Sequence, residues 1–334
     1  MESNQQYQRI IAVHAPGSPD SPGSSSSSRA RHYTEKVRPV LRRLAQQREA
    51  DFHEIPLNDS PYFDAVAKVA NELCDGDIVI GAGGDGTNQV TLQGAFESQK
   101  DIRAGFLPLG NANDFARAVN GRASDPETIL ASPTIDFHPL TLSINGVEIF
   151  YVAAYATLGA TTVAVDWMNS PEVRKDRAKH PNWPPMRTFL KPSNARAINR
   201  EINRLDFPGF SRNASAETES EDSTGFFLTR AAGGLLRPSL DAIRSDNDHE
   251  FFFHHATIGN INPTIGKMLR STHWAAKFPG EVSTGETLIF AKPTDLKIHI
   301  GGDNVELKDV REINAVRATR AIEIFAPRFS RKRD

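Results

Sequence analysis

Between Asp77 and Gln89 the chain reads DIVIGAGGDGTNQ. A short apolar run meets Gly81, Gly83, Gly84 and Gly86, and a helical pattern follows. A buried strand that turns straight into a helix belongs to a mostly parallel sheet with helices on its faces. Glycines let the backbone turn sharply and lie against a bulky anion. The free N–H groups at a helix start favour phosphate. In this reading Thr87 begins the helix, caps it and donates to a phosphate oxygen. Asp85 is the odd element, because an acid among phosphate-binding amides repels the ligand. It makes sense if it holds Mg²⁺ or accepts a proton from an attacking hydroxyl. The plain alternative is a tight glycine turn with Asp85 as an Asx-type turn residue.

The surrounding pattern agrees with an α/β domain. Ile10–Val13 reads as a strand, and Tyr33, Val37, Val40, Leu41 and Leu44 recur at helical spacing. Phe52–Leu57 reads as a weak strand. Phe63, Val66, Val69, Ala70 and Leu73 give a second amphipathic helix, and Gln89–Phe96 a third. Ala104–Leu107 is another strand, and Asn113–Val119 opens another helix. Such sheets bind ligands at the carboxyl ends of their strands.

After Ile135 the texture changes to short β-rich runs at 140–144, 148–153, 225–229, 250–255, 287–290 and 296–300, with turns such as Asn145-Gly146. This predicts a second, mainly antiparallel β-sandwich domain. The expected division is 1–137 for the nucleotide-binding α/β domain and 138–312 for the β-rich domain, with 313–330 returning to the first. A basic helical segment, Arg187–Leu205, and a polar, acidic stretch, Ser211–Gly225, interrupt the second domain. The latter has the composition of a mobile insertion.

Composition closes off several classes. With 39 Lys plus Arg against 41 Asp plus Glu, no broad basic field exists for coating nucleic acid. One cysteine, Cys74, excludes an internal disulfide framework and a cysteine-based zinc site. No apolar run reaches the length of a membrane span, and the N-terminal residues lack the pattern of a secretory signal. The expectation is a cytoplasmic protein whose membrane contact is peripheral.

The second informative loop is Phe106–Arg117, FLPLGNANDFAR. It too leaves a strand end and enters a helix, placing Asn111, Asn113 and Asp114 where a nucleotide lies against the first loop. The plain alternative for Asp114 is a helix cap. Together, Gly83-Gly84-Asp85-Gly86-Thr87 and Leu107-Pro108-Leu109-Gly110-Asn111-Ala112-Asn113-Asp114-Phe115-Ala116-Arg117 resemble the diacylglycerol kinase catalytic domain family. That family includes sphingosine and ceramide kinases and shares its first loop with NAD kinases. The resemblance implies an ATP- and Mg²⁺-dependent kinase acting on a hydroxyl of a lipid substrate, with ATP between the two domains. It implies nucleotide contacts at Gly83, Gly84, Gly86, Thr87, Gly110, Asn111, Asn113 and Asp114. Asp85 is implied as metal ligand and catalytic acid, and Asp246 as general base.

Departures from the family pattern leave other readings open. Asn111 and Ala112 replace a threonine and a glycine. Asp246-Asn247 stands for Asp-Gly, and Asp303-Asn304 with Glu306 stands for Asp-Gly-Glu. A nucleotide-binding pseudokinase and a soluble-substrate kinase of NAD kinase type are the alternatives. The Arg187–Arg204 segment reads as a solvated helix face or as a patch for anionic membrane.

Overall fold

The structure is a computed structural model. It describes residues 9–15, 30–58, 60–110, 113–121, 123–159, 162–163, 166–167, 170–171, 173, 200–201, 204, 209–213, 223–228, 251–257 and 281–327. Two compact units emerge: Met1–His138 with Thr319–Asp334, and Pro139–Ala318.

The first unit is a six-stranded sheet in the order β2-β1-β3-β4-β15-β5. Its strands are β1 (Arg9–His14), β2 (Asp51–Pro56), β3 (Ile78–Gly83), β4 (Arg103–Pro108), β5 (Thr134–Phe137) and β15 (Ile322–Phe325). The first four and β15 run parallel, while β5 pairs antiparallel with β15 at the edge. The residues Ile10–Val13 and Ile78–Ile80 are buried almost completely, as expected for strands covered on both faces. A π-helical turn, Tyr33–Val37, leads into α1 (Arg38–Gln47). Tyr33, Val37, Leu41 and Ala45 pack onto Ile10, Ala12, Ile78, Ile80 and Ala82 on one face.

On the other face lies α3 (Asp85–Glu97), which is buried from Thr87 through Phe96. Against it packs α2 (Tyr62–Glu72): a Cβ on Gly94 would stand 2.7 Å from Val69, so a glycine there lets the two helices approach. Helix α3 is therefore a core helix. Several of its polar side chains are absorbed by hydrogen bonds, whereas the side-chain amide of the fully buried Asn88 has no hydrogen-bond partner. The Tyr62 hydroxyl donates to Gln93 Oε1 (2.6 Å), Gln89 Nε2 donates to the Tyr62 hydroxyl (3.1 Å), and Gln93 Nε2 donates to Glu97 (2.7 Å). Two short helices, α4 (Asp114–Asn120) and α5 (Pro126–Leu130), complete this unit.

The second unit is one antiparallel sheet of nine strands, in the order β12-β11-β10-β8-β13-β14-β6-β7 with β9 beside β13. Its strands are β6 (Leu140–Ile144), β7 (Val147–Val152), β8 (Tyr155–Leu158), β9 (Phe210–Arg212), β10 (Ser223–Leu228), β11 (Phe251–Thr257), β12 (Glu281–Ser283), β13 (Gly285–Ile300) and β14 (Asp303–Arg317). The runs 287–290 and 296–300 are two halves of β13. Burial alternates at Glu286, Leu288 and Phe290 and again at Leu296, Ile298 and Ile300, with an exposed break between. The pairing with β14 shifts register at this break. There Asp295 accepts from Lys308 Nζ (2.8 Å) and the Asp309 N–H (3.1 Å), and Asp309 takes φ 52°. The acidic stretch 211–225 departs from its composition at both ends. Ser211 and Arg212 pair with β13, and Ser223–Gly225 begin β10, because ladder partners absorb their backbone groups. Residues 214–222 and most of 187–205 lie outside the described residues.

Candidate functional site

The sheet order places a topological switch between β1 and β3, since the chain leaves β1 toward β2 on one side and returns with β3 on the other. Ligands of open α/β sheets bind at the carboxyl ends of the strands at such a point. Strand β3 ends at Gly83, and α3 starts at Asp85 with Gly84 as N-cap. The helix therefore opens two residues before Thr87, and no side chain caps it. The expectation that Thr87 caps this helix is corrected. Its side chain is buried in the first turn, where a Cβ on Gly83 would overlap it.

Steric contact explains the glycines. Gly84 has φ −88°, open to any residue, and neither Gly83, Gly86 nor Gly110 is among the residues at positive φ. A Cβ on Gly84 would lie 3.2 Å from the Gly110 Cα, and a Cβ on Gly110 would overlap the Gly84 Cα. The two loops thus touch backbone to backbone at the ends of β3 and β4. The Leu109 N–H donates to the Gly83 carbonyl (2.9 Å) and ties them further.

Asp85 bridges the same pair of loops. Its Oδ2 accepts from the Asn113 N–H (2.8 Å) and its Oδ1 from the Asp114 N–H (2.6 Å), at the start of α4. Burial raises the pKa of this carboxyl. The N–H groups of Asp114, Asn113 and Phe115, and the charge of Arg117, act against that rise. Asn113 is the N-cap of α4 at φ 54° and is 2% exposed. Its amide pairs with Gly110 in both directions, accepting from the Gly110 N–H (2.6 Å) and donating to the Gly110 carbonyl (2.8 Å). Asp114 is 5% exposed and opens α4.

The structure thus brings Gly83, Gly84, Asp85, Gly86, Thr87, Gly110, Asn113 and Asp114 to one rim of one sheet. Asn111 and Asp246 lie outside the described residues. Reasoning from sequence missed a second cluster on the same rim, at the ends of β1 and β2. The His14 ring stacks on Tyr33 with centroids 4.3 Å apart. Glu54 accepts from the Tyr33 hydroxyl (2.8 Å) and pairs with Arg38 (2.6 Å) and Arg42 (3.6 Å). The available signal was the lone acid Glu54 near the carboxyl end of a strand.

Among the described residues, no group of three or more His, Cys, Asp or Glu converges to hold a metal ion. Each Asp85 oxygen accepts one N–H from the start of α4 and keeps a second lone pair, so Asp85 is the carboxylate at this rim that would hold magnesium together with substrate phosphates.

The family model of the diacylglycerol kinase catalytic domain matches residues 23–138, a segment lying wholly within the first unit. The fold resembles a crystal structure of a diacylglycerol kinase from Bacillus anthracis str. Sterne. The TM-score is 0.56 at 13% identity, covering 96% of each chain. An NAD kinase from Archaeoglobus fulgidus in complex with ATP aligns over 96% of this chain and 94% of its own, at 10% identity and a TM-score of 0.44. No curated protein matches the sequence.

Proposed function

We propose that this chain, with a diacylglycerol kinase catalytic domain over residues 23–138, transfers a phosphoryl group from ATP to a hydroxyl of a lipid or lipid-like acceptor. The observation that carries the proposal is the single rigid cradle formed by the two loops. Gly84 lies against Gly110, Asp85 holds the start of α4, and the first turn of α3 has no side-chain cap. Its N–H groups offer fixed donors where an anion belongs, at no reorganisation cost when it binds.

In this reading the Gly83–Thr87 turn and Gly110 hold the nucleotide phosphates. Asp85 acts through α4, keeping the loops in register. The acceptor oxygen attacks the terminal phosphorus, the bond to the bridging oxygen breaks, and the hydroxyl proton passes to a carboxylate, which the resemblance assigns to Asp246. Catalysis is then mainly positioning and charge neutralisation. The acceptor is met at a membrane surface by peripheral contact; no helix of the described residues is long and apolar enough to cross one.

A second reading, a nucleotide-binding pseudokinase, is favoured by one observation: both oxygens of Asp85 are engaged in holding α4. One assay separates the two. The purified chain is given labelled ATP and magnesium with diacylglycerol, a sphingoid base, ceramide and NAD in turn. Transfer to a lipid that disappears in Gly84→Asp supports the kinase. Transfer to NAD alone replaces the lipid with a soluble acceptor. Nucleotide binding without any transfer leaves the pseudokinase.

A further inference from the structure

The Gly83–Thr87 turn lacks charge of the sign a polyphosphate needs. From Asp77 through Gln99 the chain has no Lys or Arg, and Asp85 adds a negative charge. Backbone N–H groups supply only partial positive charge. Arg117 of α4 brings one full positive charge to bear on Asp85, and further full charges stand on the other side of the switch point, at the end of β1.

His14 closes β1, in register with Ala82 of β3 and Pro56 of β2. Two cations reach this position from helices on opposite faces of the sheet. Arg38 opens α1, which covers the face of Ala12 and Ala82. Lys68 belongs to α2, which packs on α3 over the opposite face, where Gly81 meets Asn88. Lys68 Nζ donates to the Pro56 carbonyl (2.7 Å), which uses one of its three N–H groups. Arg38 gives one nitrogen to Glu54 (2.6 Å), and its buried Nε has no hydrogen-bond partner. Burial lowers the basicity of His14; Glu54 opposes this, and the charges of Arg38 and Lys68 lower it further, so both cations act on the same ring. Arg38 and Arg42 pair with one carboxylate, Glu54, while Lys68 stands apart on the Pro56 carbonyl, so the cations outnumber the carboxylate that neutralises them. Glu54 and the Tyr33 hydroxyl hold the guanidinium groups in place, so little side-chain freedom is lost on binding.

We infer that Arg38 and Lys68 form a cationic clamp for polyphosphate at the carboxyl end of β1, facing the glycine turn across the switch point. The clamp rests on the reading of that turn as a phosphate cradle. It selects ligands by the number of phosphoryl groups, since a single phosphate on the turn leaves the clamp unfilled.

The test uses the full chain and titration calorimetry with ATP, AMP and inorganic tripolyphosphate at several salt concentrations. Lys68→Gln keeps a donor for the Pro56 carbonyl while removing the charge. It is expected to weaken ATP and tripolyphosphate by about tenfold, change AMP by less than about twofold, and flatten the salt dependence of tripolyphosphate binding. Arg38→Gln should act the same way; if it does not fold, Lys68→Gln decides alone. Wild-type affinity for tripolyphosphate in a folded Lys68→Gln variant overturns the clamp. Gly84→Asp tests the cradle separately: if it retains ATP while Lys68→Gln loses it, the cradle reading fails and the clamp stands. A final arm uses vesicles of phosphatidylcholine with one-fifth phosphatidic acid. Loss of vesicle binding with tripolyphosphate binding unchanged would assign these cations to a lipid headgroup and also overturn the clamp.

Discussion

The Asp85 carboxylate accepts the Asp114 N–H at 2.6 Å, across 29 positions of sequence, and so joins the glycine turn after β3 to the helix after β4. An acid beside phosphate-binding amides looks unfavourable while its own partners are unknown. The N–H groups of α4 satisfy it and fix it away from full solvation.

Asp85→Asn should therefore disturb the fold of the site before it disturbs any chemistry. Asparagine has one acceptor oxygen where the carboxylate has two, and its NH₂ would face an N–H donor. A stability loss of about 1.5–3 kcal/mol is expected. Nucleotide affinity should fall with it, and Asp85→Glu should not restore it, because the longer side chain misplaces both oxygens. Chemical denaturation and calorimetry on the same preparations check this. An unchanged denaturation midpoint with an altered magnesium dependence would return Asp85 to direct contact with the ion.

Gly110→Ala should cost more than Gly84→Ala. The first Cβ overlaps the Gly84 Cα, whereas the second stands 3.2 Å from the Gly110 Cα and needs only a small shift. Overpacking of the first kind costs about 1–3 kcal/mol. The added volume also parts the loops, so ATP affinity should drop further in Gly110→Ala. Equal melting temperatures for the two variants would show that the loops are not in contact.

How much of this was legible in the sequence depends on where the signal resides. The strand and helix order of the first unit followed from apolar periodicity, because Ile10–Val13 and Ile78–Ile80 are continuous buried runs. The glycines marked the turn correctly, but the reason for them was hidden. Neither Gly84 nor Gly110 takes positive φ; what bears on them is their contact with each other across 26 positions of sequence, most tightly at Gly110. Strand β14 escaped notice because its exposed face is strongly charged and its buried frame shifts from Val305 and Leu307 to Val310, then to Ile313 and Ala315, around a bulge. Pattern reading assumes a period of two throughout and loses a strand that changes frame. The Glu54 cluster was invisible for another reason. His14, Tyr33, Arg38 and Glu54 sit on four separate elements, and the register of β1 with β2 and the packing of the π-helical turn and α1 on the sheet bring them together.

The polar face of α3 carries a prediction of its own. Tyr62→Phe removes the hydroxyl that accepts from Gln89 and donates to Gln93 inside the packed pair of helices α2 and α3. The ring still fits, so the loss isolates the hydrogen bonds, at about 1–2 kcal/mol. Denaturant unfolding measures it, and a neutral result would mean that the two glutamines find other partners.

The pH dependence of stability should carry the signature of His299 in the second unit. The ring is 6% exposed on β13. Its Nε2 accepts from the Gly302 N–H (3.1 Å) in the turn to β14, and Nδ1 lies 3.4 Å from the Thr157 hydroxyl. Accepting at Nε2 requires the neutral ring with its proton on Nδ1. Burial lowers the pKa from 6.5 to about 4, with the nearby charge of Asp166 acting weakly against it. The unfolded chain thus binds the proton first as pH falls. The stability contributed by the neutral ring is complete above about pH 6.5 and declines between there and about pH 4. Below that the folded ring is protonated too, and the difference levels off. The total amounts to roughly 3 kcal/mol, from about 1.4 kcal/mol per pH unit. His299→Gln removes the titration and keeps a side chain able to accept from Gly302. Unfolding free energies measured from pH 7 to pH 4 should therefore fall more steeply in the wild type than in the variant. Parallel curves would show that the fold does not lower the pKa of His299, so that the ring titrates alike in the folded and unfolded chain.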